Sequence, residues 1–238
     1  MEYQEIQVAI QDYIATVTLN RPQKLNAYTS LMGDELTQAY TTLGKREEVP
    51  AIIMTGAGRG FCSGADVGAV FQKQITDQGK AASSTVPQVV HPRSGLHYAL
   101  YNCQKPTIVA INGPAVGIGL TLTLLQDIRI MAEEASMGAI FARMGLMPEL
   151  GSTFMLPRLV GLAKALELTY TARIVKAKEA LDIGLVNQVV PGEGLLAAAR
   201  EIKKANLALY YWIEIARNPL LADAHPEWTA SIQTHPEY

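Results

Sequence analysis

The stretch from Lys105 to Thr153 constrains this chain most: KPTIVAINGPAVGIGLTLTLLQDIRIMAEEASMGAIFARMGLMPELGST. A β-branched apolar run, Thr107 to Ile111, stops at Asn112-Gly113-Pro114. Gly117 and Gly119 follow, then a second apolar run, Leu120 to Leu125. The pattern predicts a buried strand, a turn and a buried helix. The glycines let backbone come close to a neighbour, and the helix start leaves N–H groups without internal partners. The partial positive charge there suits a developing anion. Further on, Glu149 sits in Pro148-Glu149-Leu150-Gly151, a carboxylate in a largely apolar neighbourhood. An anion-stabilising backbone with one semi-buried acid makes a proton-transfer site. The residues alone fit a plainer reading equally well. The glycines then only permit tight packing, and Glu149 only caps a helix from Gly151 to Val160.

The rest of the chain alternates strand and helix patterns. Ile6–Ile10 and Tyr13–Leu19 predict a hairpin turning at Gln11-Asp12. Thr29 or Ser30 caps a helix through about Gly44, with Leu31, Met32, Leu36, Tyr40 and Leu43 on its apolar face. Ala51–Thr55 is a strand, followed by the glycine-rich run Gly56 to Gly64. Ala65–Gln74 is read as helix and Thr76 to Ser94 as a polar loop. Leu96–Cys103, Ser152–Val160, Leu162–Thr171 and Ala177–Ile183 are read as helices, Leu185–Val190 as a strand, and Leu195 to about Arg217 as helix. The tail, Asn218–Tyr238, shows no period. The fold class is α/β, and the hairpin and short strands argue against a simple doubly wound sheet.

Composition narrows the function. A chain of 238 residues with 49% apolar residues can bury a substantial core. Its net charge of −2 offers no field for nucleic acid or an anionic membrane. Cys62 and Cys103 form no framework and read as free thiols in a reducing compartment, hence a cytoplasmic expectation. His91, His97, His225 and His235 show no metal spacing, so no metal is expected. No apolar segment approaches the roughly 20 residues that span a bilayer. The start, MEYQEIQVAI, is polar and acidic, unlike a signal peptide, and the last residues match no targeting tag. Gly56-Ala57-Gly58-Arg59-Gly60 follows a strand, but the full GxGxxG spacing and a Walker lysine are both missing. A GxSxG elbow is missing too.

Five segments carry a resemblance: LNRPQKLNAYTSLMGDEL, GAGRGFCSGADV, KPTIVAINGPAVGIG, LPRLVGLAKALEL and AKEALDIGLVNQVV. In this order they resemble the enoyl-CoA hydratase/isomerase (crotonase) superfamily. The resemblance covers roughly Ile6 to Val190. It implies a spiral of strand–strand–helix units over residues 1–190. Residues 191–238 would be a short, atypical helical C-terminal region of the kind that joins subunits into homotrimers or dimers of trimers. It implies an acyl-CoA thioester as substrate, with no cofactor beyond the coenzyme A that the substrate carries.

The resemblance also assigns roles. The family's oxyanion-hole N–H groups fall on Ala65 and Ile118. Positions matching the coenzyme A and substrate contacts are Arg21, Lys24, Leu25, Ala27, Gly64, Asp66, Val67, Gly117 and Phe141, with Lys24 and Arg21 as phosphate partners. Hydratases of the family carry two glutamates, which here fall on Thr121 and Phe141. Glu149 matches the single carboxylate of the 3-enoyl-CoA isomerase branch. An epoxide-to-oxepin ring isomerase branch carries an aspartate there. The expected reaction is therefore conversion of 3-enoyl-CoA to 2-enoyl-CoA with Glu149 as base. Phe141, Met144, Met147 and Leu150 are expected to raise its pKa. The alternatives are hydration, another isomerase or lyase reaction on a CoA thioester, and a non-catalytic acyl-CoA-binding member.

Overall fold

The computed structural model describes residues 2–66, 68 and 95–202. The readings made above for 69–94 and 203–238, and the position of Val67, lie outside the described residues. One compact unit runs to Arg200 and a second begins at Glu201; apart from Glu201, the residues considered below lie in the first.

Strands β1 (Ile6–Gln11) and β2 (Ile14–Leu19) form an antiparallel hairpin, Ile6 opposite Leu19. The turn falls on Asp12 and Tyr13, at φ 52° and 64°, one residue later than expected. Two consecutive left-handed residues are the turn that matches strand twist. The shift follows burial: Ile14 enters the core at 5% exposure, while Tyr13 is left 69% exposed. Strands β3 (Ala51–Gly56) and β4 (Thr107–Ile111) then add in parallel. Both are buried nearly throughout, as continuous apolar runs in a covered parallel sheet should be.

A second, smaller sheet starts at β5 (Ala115–Val116), directly before the helix Ile118–Leu124. The large sheet continues through β6 (Ile128–Ala132). The sequence reading missed β6 because Arg129 breaks its apolar run. That arginine is only 5% exposed. Its guanidinium donates to the carbonyls of Leu185 and Gln126 at 3.1 and 2.7 Å, which makes a buried charge tolerable. Strands β7 (Ser136–Gly138) and β8 (Ile174–Lys176) complete the small sheet, β7 parallel to β5 and antiparallel to β8. Strand β9 (Gln188–Val190) closes the large sheet, whose order is β1-β2-β3-β4-β6-β9. The two sheets and the leading hairpin make this a mixed α/β fold of strand–strand–helix units.

Helix α1 (Ser30–Leu43) starts where Thr29 accepts the Met32 N–H at 3.1 Å. It buries Met32, Leu36, Tyr40 and Leu43, but Leu31 is 40% exposed and leaves the expected stripe. Helix α2 (Gly95–Tyr101) packs on α1. Helix α3 (Ile118–Leu124) is buried from Gly119 onward. After it come α4 (Phe141–Met144), α5 (Ser152–Val160), α6 (Leu162–Thr171), α7 (Ala177–Asp182) and α8 (Leu195–Glu201). Among the described residues, no helix is long and apolar enough to cross a membrane.

Candidate active site

Two loops lie side by side at the ends of β3 and β4. Cys62 N–H donates to the Pro114 carbonyl at 3.0 Å, and Val116 N–H donates back to Cys62 at 2.9 Å. Ala65 does not start a helix as the sequence reading had it. It pairs with Tyr28 in a parallel bridge. That bridge uses Gly64 C=O and Asp66 N–H, each 2.8 Å from its Tyr28 partner. The Ala65 N–H is therefore turned away from Tyr28. Ile118 is the first residue of α3, where an N–H has no internal partner. Neither of these two N–H groups has an acceptor among the described residues.

Glycine holds the loops together. Gly64 and Gly117 have φ of 112° and 57°, and a Cβ on Gly117 would lie 3.9 Å from Gly64 Cα. Gly119 is tighter: a Cβ there would lie 2.2 Å from the Cys62 carbonyl oxygen. In a helix, Gly→Ala normally gains about 1 kcal/mol. Here overpacking against backbone, about 1–3 kcal/mol or more, should win. Gly119→Ala is expected to lower the melting temperature by up to about 8 °C, on the scale of 2–4 °C per kcal/mol for chains this size. A rise in melting temperature by circular dichroism would show that the contact yields.

Glu149 stands in the turn between α4 and α5, where Leu150 and Gly151 both adopt positive φ, 50° and 71°. Its main-chain carbonyl accepts the Ser152 N–H at 3.0 Å. Its carboxylate Oε1 accepts the Thr121 hydroxyl at 2.7 Å. Burial raises the Glu149 pKa above the ordinary carboxylate value, and the Thr121 bond partly offsets this. The dry surroundings differ from those expected. Phe141 is buried, but Met144 is 50% exposed and Met147 is 83% exposed, because the chain turns outward there. Phe141 and Pro148 line a cavity of about 260 Å³ with Leu120, Leu156 and Leu166.

Two other titratable groups feel the Glu149 charge. Burial, then that charge, pushes the Tyr28 hydroxyl up to about 12. Burial pushes the Cys62 thiol up to about 11, with Glu149 a smaller cause. Both stay protonated near neutral pH, so Cys62 is no thiolate nucleophile and Tyr28 no base. Of these three groups Glu149 is the carboxylate.

The matching positions along the first loop are placed unequally. Arg21 is held by protein partners: its guanidinium pairs with Glu5 at 3.1 Å and Asp66 at 2.9 Å. It also donates to the Ala27 carbonyl. That arrangement orders the loop and occupies the fork that a phosphate would need. Asp66 is likewise engaged. Lys24 is exposed, with its carbonyl accepting from Ala27 N–H at 3.0 Å. Leu25 adopts φ 49° and packs over Gly60. Ala27 is buried. Sequence reasoning missed Tyr28 and the bond from Thr121. The spacing offered a signal for Thr121, since it lies one helical turn after Ile118, on the same side of α3.

One half-buried acid, beside two loops whose Ala65 and Ile118 N–H groups have no acceptor among the described residues, suits the class of α/β enzymes that transfer protons. The family is narrower than the class. The enoyl-CoA hydratase/isomerase family model matches residues 9–210, and the chain belongs to that family, the crotonase superfamily. It is 36% identical to the short-chain-enoyl-CoA hydratase of Clostridium acetobutylicum, over 85% of this chain and 75% of that protein. It is 33% identical to the 1,2-epoxyphenylacetyl-CoA isomerase of Escherichia coli strain K12, over 82% of this chain and 73% of that protein. Among solved structures, an enoyl-CoA hydratase from Bacillus anthracis superposes with a TM-score of 0.80. Its identity is 31%, and the match covers 97% of this chain and 89% of that one.

Proposed function

We propose that the protein is an acyl-CoA isomerase that moves a double bond from C3 to C2 of a thioester. The thioester carbonyl accepts hydrogen bonds from the Ala65 and Ile118 N–H groups. Glu149 removes a C2 proton, and the dienolate charge gathers on the carbonyl oxygen between those donors. The protonated carboxyl then returns the proton at C4, and the double bond is conjugated with the carbonyl. One base suffices because nothing is added. The raised pKa of Glu149 makes it a stronger base and a ready acid in turn. Lys24 is the exposed cation on the first loop for a phosphate of coenzyme A.

The observation that carries this reading is the pair Thr121 and Phe141. By the family resemblance they match the positions of the two hydratase glutamates. Phe141 is buried and has no proton to exchange, and the Thr121 hydroxyl is bonded to Glu149. A threonine hydroxyl is a very poor base near neutral pH, so no second carboxylate is provided at these positions to activate water. Given trans-3-hexenoyl-CoA, the protein is expected to form the conjugated 2-enoyl thioester with no change in mass. Ultraviolet absorbance and mass spectrometry read the outcome. A main product heavier by one water would establish hydration instead.

A further inference from the structure

We propose that Thr121 is a positioning residue for Glu149: its hydroxyl pins Oε1, so that Oε2 alone carries the proton between C2 and C4. The inference rests on the reading of Glu149 as the base. Thr121 is 0% exposed, in the first turn of α3. Its Oγ1 lies 2.7 Å from Glu149 Oε1 and 3.0 Å from the Ile118 carbonyl oxygen. A hydroxyl has one proton to donate. While Glu149 is ionised that proton belongs to the carboxylate, the stronger acceptor. Glu149 Oε2 has no hydrogen-bond partner among the described residues. Among the described residues, one oxygen is thus tied and the other has no partner.

The tie is stiff. A β-branched side chain in a helix has few χ1 choices, and α3 around Thr121 is buried. The carboxyl plane is therefore set by the same turn of helix that presents the Ile118 N–H. A single-base isomerisation needs that coupling, because one oxygen must reach two carbons of a substrate whose carbonyl is held from Ile118. Once Oε2 takes the proton, the carboxyl is neutral and a weaker acceptor. The Thr121 hydroxyl then has the Ile118 carbonyl as its alternative partner. Tyr28 and Cys62, whose pKa values are raised in part by the Glu149 charge, stay neutral throughout. Among the described residues, burial and the Thr121 bond are what act on this carboxyl.

The test compares Thr121→Val, which keeps the shape and removes the hydroxyl, with Thr121→Ser, which keeps the hydroxyl. With trans-3-hexenoyl-CoA, Thr121→Val is expected to lose up to about 10²-fold in kcat, the scale of a small misplacement. Its KM should stay within a few-fold, because Thr121 is given no contact with the thioester. Thr121→Ser is expected to restore most of kcat. Titration of the Glu149 carboxyl by carbon NMR gives a readout independent of turnover. Its midpoint should rise in Thr121→Val and return toward the natural value in Thr121→Ser. An unchanged kcat and midpoint in a folded Thr121→Val protein would overturn the inference. So would equal losses in the two variants, which would make the effect one of packing. Glu149→Gln, assayed alongside, separates the two readings. If it is inactive while Thr121→Val is normal, only the positioning role falls. If it is fully active, the base assignment falls and the positioning role with it.

Discussion

Glu149→Gln is expected to lower isomerisation of trans-3-hexenoyl-CoA by about 10²–10⁴-fold, the range a positioned acid–base group contributes. Binding of the thioester should change little. Glutamine has the shape of glutamate and an amide oxygen that can still accept the Thr121 hydroxyl, but it cannot take the C2 proton. The pH behaviour follows from the raised pKa of Glu149. The proposed mechanism needs the carboxylate, so natural activity should fall as pH drops through the raised value. Stability runs the other way. The folded state binds this proton more tightly than the unfolded chain, whose carboxyl keeps the ordinary value of 4.5. Stability is therefore lost as pH rises from 4.5 through the folded pKa. The glutamine variant should lack that loss and be at least as stable as the natural protein near neutral pH. Full activity in the purified variant would remove Glu149 from the mechanism.

The second large effect is expected at Ala65. Proline there deletes one N–H and glycine keeps it. If that N–H holds the enolate oxygen, Ala65→Pro should cost about 10²–10³-fold in kcat, while Ala65→Gly costs far less. The position allows a fair comparison. The loop is held through Gly64 C=O and Asp66 N–H to Tyr28, not through the Ala65 N–H. Proline restrains the residue before it, and here that residue is Gly64, at φ 112°. Circular dichroism and the melting temperature of both variants therefore belong with the rates. Equal activity in two folded variants would mean that this amide is not a donor.

Much of the fold was legible because burial wrote it plainly. Thr107–Ile111 could only be an inner strand, and Ser30–Leu43 carried a cap and a helical stripe. What was not legible lay where a polar residue is buried or a strand is very short. Arg129 masks β6 because its carbonyl partners come from Leu185 and Gln126, which no local pattern reveals. Strands β5, β7 and β8 are two or three residues long, too short for alternation to show. The site was legible in part. Glu149 stood out as an acid among apolar residues, and Gly117 and Gly119 as points of close approach. Thr121 looked only like an absent glutamate, because its bond to Glu149 spans 28 residues of sequence. Arg21 looked like a phosphate partner, because Glu5 and Asp66 are brought to it only by the folded loop.

The two loops at the site are joined by main-chain hydrogen bonds between Cys62 and Pro114 and between Val116 and Cys62. The groups they offer at Ala65 and Ile118 are main-chain groups as well. Neither side chain is fully buried: Ala65 is exposed and Ile118 partly so. If these amides hold the enolate oxygen as proposed, lineages of such a protein can drift at both positions, proline apart, without erasing that function. Side chains there are left open to selection by the shape of the acyl group. New specificities can arise where the chemistry is performed, and the chemistry need not be reinvented each time.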